Sequence, residues 1–364
     1  MKYNNIAICA SLILAAQGVH AAEIYNKDAN RVDFYGRVKA EHYFSDDSKN
    51  DGDKTYTRIG FKGQTQINDR LTGYGQWEYQ ILGNQPEGAA ANSLTRLAFA
   101  GIKDSTFGSF DYGRNWGVLY NVEAYTDMLQ EFGAKSYTAA DNFMTGRANG
   151  VATWRDTDFF GLVDGLKVSV QYQGKNDDAT RAVTKQNGNG YGTSLNYDIA
   201  DTGLSVGAGW ASSERTEAQE NSAFGKGDKA QAWNTGIKYD ANNVYLAATW
   251  AETYNMTAIS GAYSANGKNT KVSGFANKTE NFEAVAQYQF DNGLRPSIAW
   301  VQSTGKDIEG VGNVDLVKFI DVSTTYYFNK NMSTFIEYRI NQLDNNKLNL
   351  SNDNIAAAGL MYQF

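Results

Sequence analysis

The strongest constraint on the fold is an alternation of apolar and polar residues with a period of two. In residues 282–290, Phe282, Ala284 and Tyr288 alternate with Glu283 and Gln287. The same pattern recurs in residues 32–41, 336–341 and 356–364. A period of two places apolar side chains on one face of a β-strand and polar side chains on the other. Polar stretches such as 45–54, 174–190 and 212–228 separate these segments. The sequence therefore predicts an all-β fold of strands joined by polar loops.

The composition supports strands and excludes two other classes of protein. The chain has 36 Gly, 23 Tyr, 18 Phe and 7 Trp but only 2 Pro among 364 residues, a balance that favours strands and turns. A mean hydropathy of -0.51 excludes a bundle of membrane-spanning helices, because each such helix needs about 20 apolar residues. Disordered chains are poor in aromatic residues, so disorder is excluded too.

The first residues have the pattern of a secretory signal peptide. Lys2 is followed by an apolar run over 6–16 and by Val19, His20 and Ala21, a small-residue cleavage pattern. We expect residues 1–21 to be removed and residues 22–364 to form a single domain. Cys9, the one cysteine of the chain, lies in the signal peptide, so we expect no disulfide.

Two architectures fit alternating strands: a soluble sandwich and a closed membrane barrel. The apolar positions of residues 73–79 and 146–154 carry small and aromatic side chains, where a sandwich core would need large aliphatic ones. Charged residues lie in mid-strand on the polar face, which a water-filled lumen accepts. The chain ends on Phe364, with Tyr362 two residues before it. About 20 residues per strand and loop give roughly 16 strands, in the range of outer-membrane barrels. The pattern favours the barrel.

Several ordered blocks carry a family resemblance: residues 22–28, 73–79, 108–114, 238–243, 293–297 and 326–333. In these blocks the chain resembles the general diffusion porins of enteric Gram-negative bacteria. The resemblance implies a homotrimer of 16-stranded antiparallel transmembrane β-barrels in the outer membrane, each with an inward-folded third loop. It further implies passive diffusion of ions and small hydrophilic solutes, surroundings of outer-membrane lipid and lipopolysaccharide, recognition of Phe364 by the barrel-assembly machinery, and no cofactor.

The resemblance also implies a charged constriction of the pore. The third loop matches residues 125–133, which makes Asp127 and Glu131 its carboxylates, and the facing basic cluster maps to Arg37, Arg58, Arg96 and Arg147. The alternation of each arginine with an apolar neighbour independently places all four side chains in the lumen. Opposed charges across a narrow aqueous gap create a strong transverse field, and mixed charge sets ion preference. Because acidic residues exceed basic ones, 40 to 33, we expect a weak preference for cations.

The third loop also departs from the family pattern. Gln130 replaces the usual proline, Ala134 a glycine and Lys135 an acidic residue, so the loop geometry can differ from that of other family members. Leu94 stands where the family often has a lysine. Gly146 stands where the phosphate-starvation porins have a lysine, which favours a general pore over an anion-preferring one.

The second loop resembles the segment that contacts a neighbouring subunit in porins. It matches residues 83–88, in which Glu87 would pair with an arginine of the neighbour, with Arg114 and Arg147 as candidates. The alternative is a glutamate in a solvated loop. Both interpretations stay open at this point.

Enzyme, metal and nucleic-acid functions find little support. His42 is the one histidine outside the signal peptide, and no serine motif accompanies it. Residues 46–53 place Lys49 at a ligand position of a calcium loop, and residues 261–268 fail the phosphate-loop spacing. A net charge of -7 argues against nucleic acid. A substrate-specific channel and an adhesin or receptor barrel remain alternatives, as do acidic outer loops that bridge divalent cations to lipopolysaccharide.

Overall fold

The computed structural model describes residues 22–88, 93–265, 268–343 and 347–364. The predicted signal peptide, residues 1–21, lies outside the described residues. The strands are β1 (Ala22–Lys27), β2 (Asn30–Phe44), β3 (Gly52–Asp53), β4 (Tyr56–Gln66), β5 (Leu71–Leu82), β6 (Leu94–Asp104), β7 (Gly108–Trp116), β8 (Arg147–Asp156), β9 (Leu166–Gln173), β10 (Gly190–Ile199), β11 (Leu204–Glu214), β12 (Lys229–Ala241), β13 (Val244–Tyr254), β14 (Ala258–Ala265), β15 (Lys268–Phe275), β16 (Lys278–Tyr288), β17 (Leu294–Ile308), β18 (Gly312–Tyr327), β19 (Met332–Asn341) and β20 (Ile355–Gln363). Two short helices are α1 (Tyr120–Glu123) and α2 (Glu217–Glu220), and Val183–Lys185 form a 3-10 turn. None of the helices in these ranges has the length and apolar character needed to cross a membrane.

Sixteen of the strands in the described ranges form a closed antiparallel barrel. Each pairs with the next along the chain, from β2 through β4 to β13 and on through β16 to β20. The last strand, β20, then pairs with β2 and closes the sheet. The predicted 16-stranded all-β barrel is confirmed.

Both ends of the described chain meet on β2. β1 pairs with the first half of β2, so that Ala22 lies opposite Phe34, and β20 pairs with the second half. At the junction, Gly36 and Phe364 exchange two backbone hydrogen bonds of 3.0 Å. A Cβ at Gly36 would lie 2.5 Å from the Arg58 carbonyl oxygen. Glycine is therefore required at the point where the barrel closes.

The two faces of the barrel strands follow the predicted alternation. The outward positions carry exposed aromatic and aliphatic residues, among them Tyr288, Ile336 and Tyr362. The inward positions of the same strands carry buried polar side chains such as Glu283 and Glu337. The apolar faces meet lipid, as in outer-membrane barrels.

On one side of the barrel the inner face also carries apolar residues. Val285, Val301, Phe319 and Met361 point inward and are at most 4 % exposed. Several of them pack against residues of the long connection between β7 and β8. These positions are apolar because this connection, rather than water, covers them.

A separate hairpin lies outside the barrel sheet. β14 pairs only with β15 among the described strands. Ile259 of this hairpin packs in a buried apolar cluster with Phe224 and Leu348, which come from two other connections, and with Ile308 at the end of β17. The outer loops thus share a small core of their own.

Candidate pore constriction

The connection between β7 and β8, residues 117–146, lies inside the barrel and is called the inner segment below. Along this segment, backbone groups form hydrogen bonds with inward side chains of β9, β12 and β13 in turn. Gln171 of β9 accepts from Val118 N, Asn234 of β12 donates to the Leu119 carbonyl, and Tyr245 of β13 donates to the Tyr125 carbonyl. These bonds are 2.6 to 2.9 Å long. The inner segment therefore follows the inner wall, as expected for an inward-folded third loop.

The far end of the inner segment is held by Glu337 of β19. This carboxylate accepts hydrogen bonds from the backbone N–H groups of Gln130, Glu131 and Phe132, at 3.0, 3.1 and 2.9 Å. Gln287 of β16 donates to the Met128 carbonyl at 3.0 Å. Because proline has no N–H, the Gln130 that replaces the family's usual proline adds one of the three bonds to Glu337.

A buried carboxylate pair joins the inner segment to β16. Glu123 of α1 is fully buried beside Glu283 of β16, whose Oε1 accepts from Ser136 N at 2.9 Å. Burial raises the pKa of Glu123 well above its ordinary value of 4.5, and the charge of Glu283 raises it further. The neutral form of Glu123 is therefore favoured over a wider pH range than that of a glutamate in water.

The turn after the two predicted carboxylates has an alanine in a left-handed conformation. Ala134 has a φ of 48°, in the left-handed region that an alanine adopts only at a cost. Lys135 follows it and is exposed.

The two predicted carboxylates have different partners. Asp127 accepts a hydrogen bond of 2.5 Å from the Tyr120 hydroxyl and forms no ion pair with the described residues. Burial raises the pKa of Tyr120 well above its ordinary value, so the hydroxyl keeps the proton that it donates. Glu131 is bound on both oxygens, by an ion pair with Lys39 and by the Tyr43 hydroxyl at 2.5 Å.

The four predicted arginines lie together on the opposite strands. Arg37 of β2 and Arg58 of β4 are direct cross-strand partners. Arg58 donates to Gln80 at 2.8 Å, and Arg96 donates to Glu78 at 2.5 Å. None of the four forms an ion pair with Asp127 or Glu131 within the described ranges. Like charges placed directly opposite each other destabilise a sheet. The pairing of Arg37 with Arg58 therefore lowers the stability of the barrel.

Arg147 of β8 is held by an aromatic stack. Its guanidinium lies 5.0 Å from the ring centroid of Trp116, and Trp116 stacks on Tyr120 at 3.9 Å. Since Tyr120 also binds Asp127, one short chain of contacts fixes both a positive and a negative group. No metal-binding group of three or more His, Cys, Asp or Glu side chains occurs in the described ranges.

The residues of the predicted subunit contact are separate in one chain. Glu87 is exposed and forms no ion pair with the described part of the chain. Arg114 binds Asp141 of the inner segment through two nitrogens, at 2.5 and 3.0 Å, and also donates to Asn149 and to the Thr95 carbonyl. Residues 89–92, next to Glu87, lie outside the described residues.

Three charged residues that the sequence did not single out bind the inner segment: Lys39, Glu283 and Glu337. Each lies on the inward face of its strand, and their position in the alternation already indicated this. Nothing in their spacing showed that the inner segment would bind to them. Only the path of the inner segment across β2, β16 and β19 brings them to it.

Comparisons with known proteins agree with this geometry. The Gram-negative porin family matches residues 27–364. The chain is 57% identical to outer membrane porin PhoE of Escherichia coli strain K12 and 56% identical to outer membrane protein F of Serratia marcescens, each over the whole of both chains. A solved structure of OmpF from Salmonella typhi, in complex with daunomycin, matches with a TM-score of 0.87 and 47% identity, covering 94% of this chain and 100% of that one.

These relatives are channel proteins of the outer membrane and not enzymes, in agreement with the low support for catalysis in the sequence. The match extends over the sixteen barrel strands and the inner segment. The chain belongs to the Gram-negative porin family and is an outer-membrane β-barrel porin.

Proposed function

We propose that the protein forms a non-specific, water-filled pore for passive diffusion of ions and small hydrophilic solutes. The observation that carries this proposal is the arrangement of the inner segment. It binds the wall from β9 to β19 and reaches β2 at Lys39, whereas the four arginines of β2, β4, β6 and β8 form no ion pair with its two carboxylates in the described part of the chain. Asp127 and Glu131 on one side and Arg37, Arg58, Arg96 and Arg147 on the other form the charged constriction.

The ion preference of this constriction is a further part of the proposal. The excess of acidic over basic residues favours a weak preference for cations. Asp127 supports it, because this carboxylate has no cationic partner in the described residues. The arginine group and Lys39 oppose it, so the preference is small.

We infer that the pore works as a homotrimer in outer-membrane lipid and lipopolysaccharide. Glu87 is exposed on the second loop and is available to an arginine of a neighbouring subunit. The candidate partners are Arg114, which in one chain binds Asp141, and Arg147, which packs on the Trp116 ring. We further propose that residues 1–21 are cleaved on export and that Phe364 is recognised by the barrel-assembly machinery.

Recording of single channels in a planar bilayer tests this function. The purified full-length mature protein should give large openings in three steps, with conductance proportional to the conductivity of different salts. A barrel that stays closed, or one that conducts a single solute class, would overturn the proposal in favour of a receptor barrel or a substrate-specific channel.

A further inference from the structure

Lys39 lies at an unusual position for a lysine. It is on β2, two residues after Arg37, and its side chain is only 1% exposed. Its ammonium lies 4.6 Å from the centre of the Phe335 ring. A buried ammonium is costly unless carboxylates and hydrogen bonds compensate it. The partners of Lys39 therefore matter for the charge of the constriction.

All of the polar partners of Lys39 belong to the constriction or lie next to it. Its ammonium donates to the Gln130 carbonyl at 2.9 Å, forms an ion pair with Glu131, and lies 3.3 Å from Glu41 Oε2. The Tyr43 hydroxyl takes the other oxygen of Glu131. Glu131 is thus turned to the wall, and its negative charge has a positive charge in direct contact.

Asp127 has no such compensation. Its hydrogen bond comes from the neutral Tyr120 hydroxyl, and no lysine or arginine of the described residues pairs with it. A paired positive and negative charge act on a distant ion mainly as a dipole, whereas an unpaired charge acts in full.

We propose that Lys39 determines the ion preference of the pore by compensating the charge of Glu131, which it approaches more closely than Glu41, so that Asp127 is the loop carboxylate that acts on passing ions. This inference rests on the proposed function as a pore, and it adds a specificity-determining residue on the wall to the loop carboxylates. Lys39 acts through its charge, beyond its hydrogen bond to the inner segment.

The test is the reversal potential in a salt gradient, measured for the trimeric protein in a planar bilayer. Lys39→Gln removes the charge and keeps a donor for the Gln130 carbonyl. We expect the cation-to-anion permeability ratio to rise about two- to threefold, the effect of one unit charge at a distance of several Å in water. Lys39→Arg, the control, should keep the ratio of the unmodified protein.

The double variant separates charge from structure. Lys39→Gln with Glu131→Gln removes both members of the pair and should return the ratio to that of the unmodified protein. An unchanged ratio in Lys39→Gln, or a double variant that stays as cation-preferring as the single one, would overturn the inference. If Lys39→Gln does not assemble, Glu131→Gln decides, since it must lower the ratio by a similar factor. If Lys39→Gln opens in three steps with the selectivity of the unmodified protein, the inference about Lys39 is refuted and the pore function stands. If the unmodified protein gives no openings, the pore function itself is refuted.

Discussion

The hydroxyl of Tyr120 binds Asp127 Oδ2 at 2.5 Å and so fixes the one predicted constriction carboxylate that no described cation neutralises. Asp127→Asn keeps an acceptor for this hydrogen bond and removes the charge. We expect the cation-to-anion permeability ratio, taken from reversal potentials, to fall about two- to threefold. Tyr120→Phe keeps the charge and should change the ratio less. An Asp127→Asn pore with unaltered selectivity would show that Asp127 does not face the ion path.

The tight packing where the barrel closes predicts that substitution of Gly36 lowers the stability of the protein. Gly36→Ala places a methyl group 2.5 Å from the Arg58 carbonyl oxygen and 2.9 Å from the Phe364 ring. Overpacking of this kind typically costs about 1 to 3 kcal/mol. We expect a lower temperature of unfolding, measured by the change in electrophoretic mobility on heating in detergent.

Gly63 of β4 provides the matched control, because the nearest atom to a Cβ there is 4.0 Å away. Gly63→Ala should unfold at nearly the temperature of the unmodified protein. Equal effects of the two substitutions would mean that the junction at Gly36 is not tightly packed.

The left-handed turn of the inner segment predicts a stabilising substitution. Ala134 has a φ of 48°, and glycine removes the contact between Cβ and the backbone at about 1 kcal/mol. Ala134→Gly should raise the unfolding temperature and leave the reversal potential unchanged. Ala140→Gly, at an alanine of the inner segment without a positive φ, should instead lower the unfolding temperature. A lower unfolding temperature for Ala134→Gly would contradict the argument.

Glu123 predicts how stability changes with pH. Its pKa in the folded protein is raised above the ordinary 4.5 by burial and by Glu283. At a pH between the pKa of Glu123 in the unfolded chain and its higher pKa in the folded chain, the folded chain binds the proton and the unfolded chain has released it. The free energy of unfolding therefore falls as the pH rises. The unfolding temperature should therefore drop from pH 5 to pH 8.

Glu123→Gln removes this titration and should reduce the drop. Glu220→Gln, at an exposed position of α2, is the control and should leave it unchanged. Unfolding temperatures with the same pH dependence in all three proteins would show that Glu123 does not carry a buried proton.

The strands and their outward faces were predictable because lipid imposes one requirement on every strand. Ile336 and Tyr362 could be placed on the lipid side from the alternation alone, and both are exposed there. The inward residues were less predictable. Val285 and Glu283 both lie on the inner face of β16, and what each contacts depends on the inner segment. A local pattern cannot encode a contact with a segment about 150 residues away.

In the candidate site, too, some residues could be predicted from the sequence but their contacts could not. The family resemblance predicted Asp127, Glu131 and the arginine group as constriction residues. The two carboxylates lie on the inner segment, and the arginines lie on barrel strands. The ion pair of Glu131 with Lys39 joins residues of a loop and of the first barrel strand. Its effect on the net charge of the constriction could not be inferred from residue counts over the whole chain.

The junction of Gly36 with Phe364 also has a consequence for the order of folding. The two residues lie near opposite ends of the chain, so their contact is among the most non-local that the topology allows, and such contacts form slowly. The barrel cannot close before synthesis has reached Phe364. Until then, β2 and β20 would expose unpaired N–H and C=O groups, which associate readily with other strands. The chain must therefore be kept from such pairing during export. Pairing of β20 with β2 is the last step in the formation of the barrel.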